Sequence, residues 1–392
     1  MKKIMIIIDT SRSSGRKFLS GAERYISTTP NWEVYIQPPD YLKKETPGFN
    51  LGVPIEKFDG LLVRDAVNTA KIINVNIPKV INDTRREIIP KTSTIITDSE
   101  KIGQVAAEYV LGLGFKHFAY CGYRDFAWSQ KRHNVFRNIL EDHNIETFSN
   151  LENEFPKERQ NITSRWKIAE WIKQLPRPAC VFACNDDRAI SVLEACKIAG
   201  LSVPEEIAVL GVDNDELMCN LSSPSLSSIE LDFEAAGFAA ARHLNELIQN
   251  QVENKVIHVS PIEIIERRST DILAVEDKDV VSALIFIRNN FHKPIQVIDV
   301  VNATCRSKRE LEKRFKKILK RTIKSEIERL RIELIKKKLN NSNQPIYQIA
   351  NELEFTDAEH FSRNFKKATG LSPSEFRRNI TSSNSIVPST TA

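Results

Sequence analysis

No C-x-x-C pair occurs in this sequence, although it holds six cysteines: Cys121, Cys180, Cys184, Cys196, Cys219 and Cys305. Thiols scattered in this way argue against both a metal site and a disulfide framework. No metal and no cofactor are therefore expected, and the expected compartment is the reducing cytoplasm. No apolar run approaches the roughly 20 residues needed to span a bilayer, so no membrane partner is expected. The N-terminus, "MKKIMIIIDTSRSSG", opens like a signal peptide, with two lysines ahead of a short apolar run. Asp9 and Arg12 end that run early, and no small-residue cleavage site follows, so it reads as a first β-strand. A G-x-x-x-x-G-K motif is also missing, which argues against a kinase.

What is present describes a globular chain. At 392 residues, with 41% hydrophobic and 27% charged side chains, it has the length of two or three domains. The net charge of +5 hides an asymmetry. Residues 280–392 carry 22 Lys and Arg against 11 Asp and Glu, so residues 1–279 carry a net charge of −6. A basic end on an acidic body suggests a tail that meets a polyanion and a body that does not.

Two patterns follow one another along the chain. Up to about residue 267, short apolar runs such as "KIMIII", "DGLLV", "PKVIN", "STIIT", "ACVFAC" and "IAVLGV" alternate with amphipathic stretches. That alternation predicts parallel sheets covered by helices on both faces, and the length predicts two of them. From Val280 the strand signal ends and about seven short helices follow. The expected boundaries are 1–269 for a two-lobed α/β domain, 270–279 for a linker, 280–380 for an all-α domain and 381–392 for a disordered tail. Within the first domain the chain is expected to cross between lobes near residues 110, 230 and 255.

The basic end contains one signature twice. Ser307 with Glu310, and Thr356 with Glu359, have the spacing of a capping box, as does Ser372 with Glu375. Each of the first two opens a basic helix with apolar residues four apart, Leu311 and Phe315, then Phe361 and Phe365. A short apolar helix precedes each one. Helix, tight turn and basic helix is the arrangement that lays a second helix in a DNA major groove. The expected partner is double-stranded DNA.

"IANELEFTDAEHFSRNFKKATGLSPSEFRR" resembles the C-terminal signature of AraC/XylS-type transcription regulators. The likeness covers roughly residues 280–380 and departs at two turns, where Cys305 and Glu354 replace glycines. It implies base contacts from Arg309 and Lys313 on the first recognition helix and from Glu359 and Arg363 on the second. Arg suits guanine O6/N7, and Glu can accept from cytosine N4. Lys308, Lys366 and Lys367 are expected on phosphates.

Ligands of open α/β sheets bind beyond the carboxyl ends of the strands. Polar residues directly after the apolar runs are Asp9, Asp98, Asn185, Asp186 and Asp213, with Arg132 and Trp128 at the start of a later helix. Each can instead cap its own helix. Converging carboxylates and amides suit a polyhydroxylated ligand. The order of these segments, above all "FACNDDRAISVLEACKIAGLSVPEEIAVLGVDND", resembles the ligand-binding core of LacI-type repressors and periplasmic sugar-binding proteins. That resemblance puts Arg132, Asn185 and Asp213 on inducer-contacting positions, with Asp9, Arg16, Trp128, Asp98 and Asp186 as weaker correspondences. The first strand begins at the N-terminus, so the headpiece of that family is not expected.

Together the two resemblances imply a sugar-responsive activator of transcription, working as a homodimer that contacts RNA polymerase, with a monosaccharide effector, D-xylose. A regulator sensing another pentose is the alternative. An enzyme is not expected. A glutaminase-like reading would rest on Cys121 as nucleophile, with His117 or His133 as base, and the residue order supports no such triad.

Overall fold

In the computed structural model the described residues are 1–28, 31–36, 54–64, 72–82, 88–153, 162–271, 277–341, 344–355 and 357–384. The chain divides into two compact units, Met1–Ala274 and Val275–Ala392.

The first unit holds two six-stranded sheets. One sheet has the order β11-β5-β4-β3-β1-β2, the other β12-β10-β9-β8-β6-β7. The first is built from β1 (Lys2–Ile8), β2 (Trp32–Ile36), β3 (Gly60–Arg64), β4 (Lys79–Asn82), β5 (Ser93–Thr97) and β11 (Val256–Val259). The second contains β6 (His117–Tyr123), β7 (Thr147–Glu152), β8 (Ala179–Ala183), β9 (Ile207–Asp213), β10 (Ser227–Leu231) and β12 (Pro261–Ile265). Pairing is parallel throughout except that β12 runs antiparallel to β10. The central strands read as unbroken apolar runs because both faces are covered: every residue of β3 and β8 is buried.

Helices α1 (Ser13–Ile26), α2 (Ser99–Gly112), α3 (Ala127–Asp142), α4 (Ile162–Lys173), α5 (Asp186–Ala199), α6 (Glu216–Leu221) and α7 (Phe233–Ile248) cover these sheets. The chain passes between sheets after α2, after β10 and between β11 and β12. Helices α1 and α7 pack backbone to backbone. A Cβ on Gly21 would lie 1.9 Å from Glu234 O, and one on Gly237 would lie 1.9 Å from Phe18 O. Only glycine permits that approach.

The second unit is helical: α8 (Lys278–Asn290), α9 (Val297–Asn302), α10 (Lys308–Leu319), α11 (Ile323–Asn341), α12 (Ile346–Glu352), α13 (Ala358–Thr369) and α14 (Pro373–Asn384). The paired apolar residues are its cores. Leu311, Phe315, Phe361 and Phe365 are all fully buried. Glu326, on α11, is fully buried as well, held by Arg321 at 2.6 Å and Arg329 at 2.9 Å.

Several expectations shift. The expected linker narrows at both ends, because buried Ser269 and Thr270 bond Val209 O and Ser227 Oγ, and α8 begins at Lys278. Residues 272–276 lie outside the described set, as do 385–392 of the expected tail, while 381–384 continue α14. The expected cap Thr356 is also outside it. The N-cap of α13 is Asp357, whose carboxylate accepts from His360 N. Ser307 caps α10, but Glu310 turns to Arg314 at 2.7 Å instead of closing a box. The Ser372–Glu375 box is complete in both directions.

Candidate effector cleft and nucleic-acid interface

A cleft of about 180 Å³ opens at the carboxyl ends of both sheets in the first unit. Arg132, Asn185, Asp213, Trp128 and Asp186, all expected from the sequence, line it. Arg132 is 2% exposed and spans the lobes from α3, donating to Cys184 O after β8 and to Thr97 Oγ1 at the end of β5. Its guanidinium lies 4.9 Å from the Trp128 ring centroid, a cation–π contact that holds the indole against the wall. Asn185 caps α5 through its amide oxygen, which accepts from Arg188 N at 3.0 Å. Its amide N–H groups are what it can offer a ligand.

Asp213 ends β9 at φ 105°, a left-handed conformation that side chains rarely adopt. Asp186 is a hub of the wall. It accepts from Ser228 Oγ at 2.6 Å, Asp215 N at 2.8 Å and Cys219 Sγ at 3.4 Å. A Cβ on Gly211 would lie 2.4 Å from its Oδ1, so glycine there makes room for it. Burial, and then the charge of Asp213, push the Asp186 carboxyl up to about 8. The three hydrogen bonds it accepts oppose that rise by favouring the charged form.

Four buried polar atoms on the cleft residues have no hydrogen-bond partner among the described residues: Ser13 Oγ, Trp128 Nε1, Arg132 Nε and Asp215 Oδ1. Leaving a buried donor or acceptor unmet costs about 1–3 kcal/mol. Donors and acceptors so gathered match a ligand rich in hydroxyls, each of which can give and accept.

Asp9, Arg16 and Asp98 are not among the lining residues. Each is engaged locally. Asp9 accepts from Ser11 N, Arg16 donates to Thr10 O, and Asp98 caps α2 by accepting from Lys101 N. Sequence reasoning missed Arg12, Ser13, Arg64, Asn82, Asp187 and Asp215, which do line the cleft. Arg64 and Asn82 end β3 and β4, so the strand-end rule finds them once it admits any polar residue. Arg12 pairs with Asp187 across the lobes at 2.7 Å, and Ser13 N donates to Asp215 Oδ2 at 3.0 Å. No local pattern marks those.

Cys121 is fully buried in β6, and burial raises its thiol pKa. A nucleophilic cysteine needs the opposite on both counts. Among the described residues no group of His, Cys, Asp and Glu could hold a metal ion, and no helix is long and apolar enough to cross a membrane.

In the second unit the basic residues divide into two sets. Arg306, Arg314, Arg321, Arg329 and Arg331 are occupied within the protein. Lys308, Arg309 and Lys313 on α10, and Lys366 and Lys367 on α13, are exposed and make no hydrogen bond or ion pair among the described residues. Glu359 and Arg363 are exposed too, 3.9 Å apart. With Asp357 as the cap, Glu359 is released from the capping role. Cations left unpaired on the solvent face of two capped, amphipathic helices are what a phosphate backbone and base edges require.

Comparisons with known proteins agree with this division. The family described as "Periplasmic binding protein-like domain" matches residues 107–270, and a helix-turn-helix domain family matches 300–379. The xylose operon regulatory protein of Escherichia coli K12 is 28% identical over 96% of each chain. That of Haemophilus influenzae is 27% identical over 96% of this chain and 98% of its own. The solved structure of a xylose-binding transcription activator superposes with a TM-score of 0.80 at 25% identity, covering 96% of this chain and 98% of that one. The chain thus joins two periplasmic-binding-protein-like α/β lobes to a helix-turn-helix unit, and over nearly its full length it is similar to xylose operon regulatory proteins.

Proposed function

We propose that this chain is a sugar-responsive, sequence-specific regulator that binds double-stranded DNA and takes D-xylose as its effector, activating a sugar-utilisation operon. The observation that carries the reading is the cleft. Ser13, Trp128, Arg132 and Asp215 bring unmet polar atoms to it beside Asn185 and Asp213, as a polyhydroxylated ligand needs. The names of the full-length relatives supply D-xylose as the first sugar to test. Arg132, Asn185 and Asp213 bind the sugar hydroxyls, while Trp128 offers its ring an apolar face.

On the DNA side, Arg309, Lys313, Glu359 and Arg363 meet base edges, and Lys308, Lys366 and Lys367 hold phosphates. Two readers in one chain address successive major-groove faces about 10 base pairs apart. A homodimer in the cytoplasm then covers two tandem half-sites and contacts RNA polymerase. Sugar acts by favouring the DNA-competent arrangement, so its effect is bounded by its differential affinity for the two states. Footprinting with the full chain, with and without a panel of pentoses, tests this. D-xylose should strengthen an extended footprint at one promoter. A footprint unchanged by every sugar would overturn the sensing half of the reading.

A further inference from the structure

An unbroken run of polar side chains leads from the wall between the lobes to the point where the chain leaves the first unit. Lys17, on α1, donates to Glu230 Oε1 at 2.7 Å. The other oxygen of Glu230, on β10 in the opposite lobe, accepts from Asn214 Nδ2 at 3.2 Å. Asn214 Oδ1 accepts from Arg267 Nη2 at 2.9 Å. Arg267 directs its other donors to Asn220 Oδ1 at 3.0 Å and Leu226 O at 2.9 Å. Its backbone N–H donates to Ser227 Oγ at 2.7 Å, the same hydroxyl that Thr270 Oγ1 meets at 2.7 Å. Residue 271 is the last described before the second unit.

The position of Asn214 gives the run its meaning. Its neighbours Asp213 and Asp215 both line the cleft, and Asp213 and Asn214 have φ values of 105° and 46°. Two consecutive left-handed residues leave that turn few alternatives. A movement of this turn's backbone at Asp213 carries Asn214 with it. The Lys17–Glu230 pair adds a second input, because it bridges the two lobes.

We propose that Lys17, Glu230, Asn214 and Arg267 form a relay that couples occupation of the cleft to the segment following Thr270, with Arg267 as the positioning residue at its outlet. The proposal rests on the sugar-sensing function above, and it assigns that coupling to residues outside the binding wall. Lys17 and Glu230 stand on different lobes whereas Asn214 and Glu230 share one, so a change in lobe separation would act on the first bond and not on the second, which is what a differential response requires.

The test uses the full chain, D-xylose, and a duplex selected from a random-sequence pool by the full chain in the presence of D-xylose. The quantity read is the factor by which the duplex tightens D-xylose binding, which by linkage equals the factor by which D-xylose tightens duplex binding. For the native chain a factor of about five or more is expected. Arg267→Met and Asn214→Gly, the latter keeping the positive φ accessible, should each bring the factor to within about twofold of unity. The double variant should go no further, as members of one relay are not additive. D-xylose affinity without DNA should stay within about threefold of native, and Arg267→Lys should restore part of the coupling. Should Arg267→Met fail to fold, Asn214→Gly and Glu230→Gln decide. Variants that keep the native factor overturn the relay. A native chain that binds neither D-xylose nor any selected duplex overturns the functional reading instead.

Discussion

The two recognition helices of the second unit correspond residue for residue and are held in different ways. Ser307 and Asp357 cap them, Leu311 and Phe315 in α10 match Phe361 and Phe365 in α13, and Lys316 and Lys317 match Lys366 and Lys367. Both helices end on a left-handed residue, Lys320 at φ 56° and Gly370 at φ 81°. The supports diverge. Arg314 pairs with Glu310 on the same helix at 2.7 Å and ties α10 to Asp277, the N-cap of α8, at 3.1 Å, while Arg306 meets Asp279 at 2.6 Å. Around α13 rings replace this ionic support. Phe355 packs edge-on to Phe361 with centroids 5.1 Å apart, Phe365 does the same with Phe376 at 5.4 Å, and Arg331 lies 4.7 Å from the Phe355 centroid. One helix–turn–helix geometry can thus be stabilised by charge or by aromatic packing, which leaves the exposed reading positions free to differ.

The largest effect should come from what the two recognition helices share. Phe315→Ala and Phe365→Ala each remove a fully buried ring and should cost about 3–5 kcal/mol. Denaturant unfolding of the full chain should show losses of similar size in both. A loss in only one would show that the second core is dispensable.

Reading residues should sharpen the contrast. Arg309→Ala and Arg363→Ala should each remove about 1–3 kcal/mol of discrimination between a selected and a random duplex. The loss should be greater for Arg309, because Arg363 must first leave Glu359. Lys366→Ala should weaken both duplexes alike and lower the salt slope by about 1. Binding measured across salt concentrations separates these outcomes.

The smallest effect concerns the turns. Counting back from the two caps sets Thr304, not Cys305, opposite Glu354. Among the described residues of these turns only Glu354 is left-handed, at φ 53°. The expectation of strain where Cys305 stands in place of a glycine is not met, because no described residue of the first turn has positive φ. Glu354→Gly should stabilise the protein by about 0.5–1 kcal/mol, whereas Thr304→Gly should destabilise it by a similar amount. Denaturant midpoints moving the same way in both variants would refute the distinction.

The charge division and the two hydrophobic periods made both units legible in the sequence, because each is a local property of the chain. The antiparallel placement of β12 was not, since strand pairing is decided by elements far apart. In the cleft, residues that directly follow buried strands were recoverable: Asn185 and Asp213 stand where the strand-end rule puts them. The rule also caught Asp9 and Asp98, which serve neighbouring backbone N–H groups, and sequence alone does not separate a cap from a ligand. Arg12, Ser13 and Asp215 were out of reach, because they meet only after two lobes come together around three chain crossings.

The most direct test of the account is calorimetric titration of D-xylose into the native chain and into Asp213→Asn, which keeps the side-chain shape and removes the charge. The account predicts one site per chain, weakened roughly tenfold in the variant by the loss of a charge-assisted hydrogen bond, with DNA binding in the absence of sugar unchanged. Equal affinity in the two proteins, or no binding of any pentose to the native chain, would contradict it.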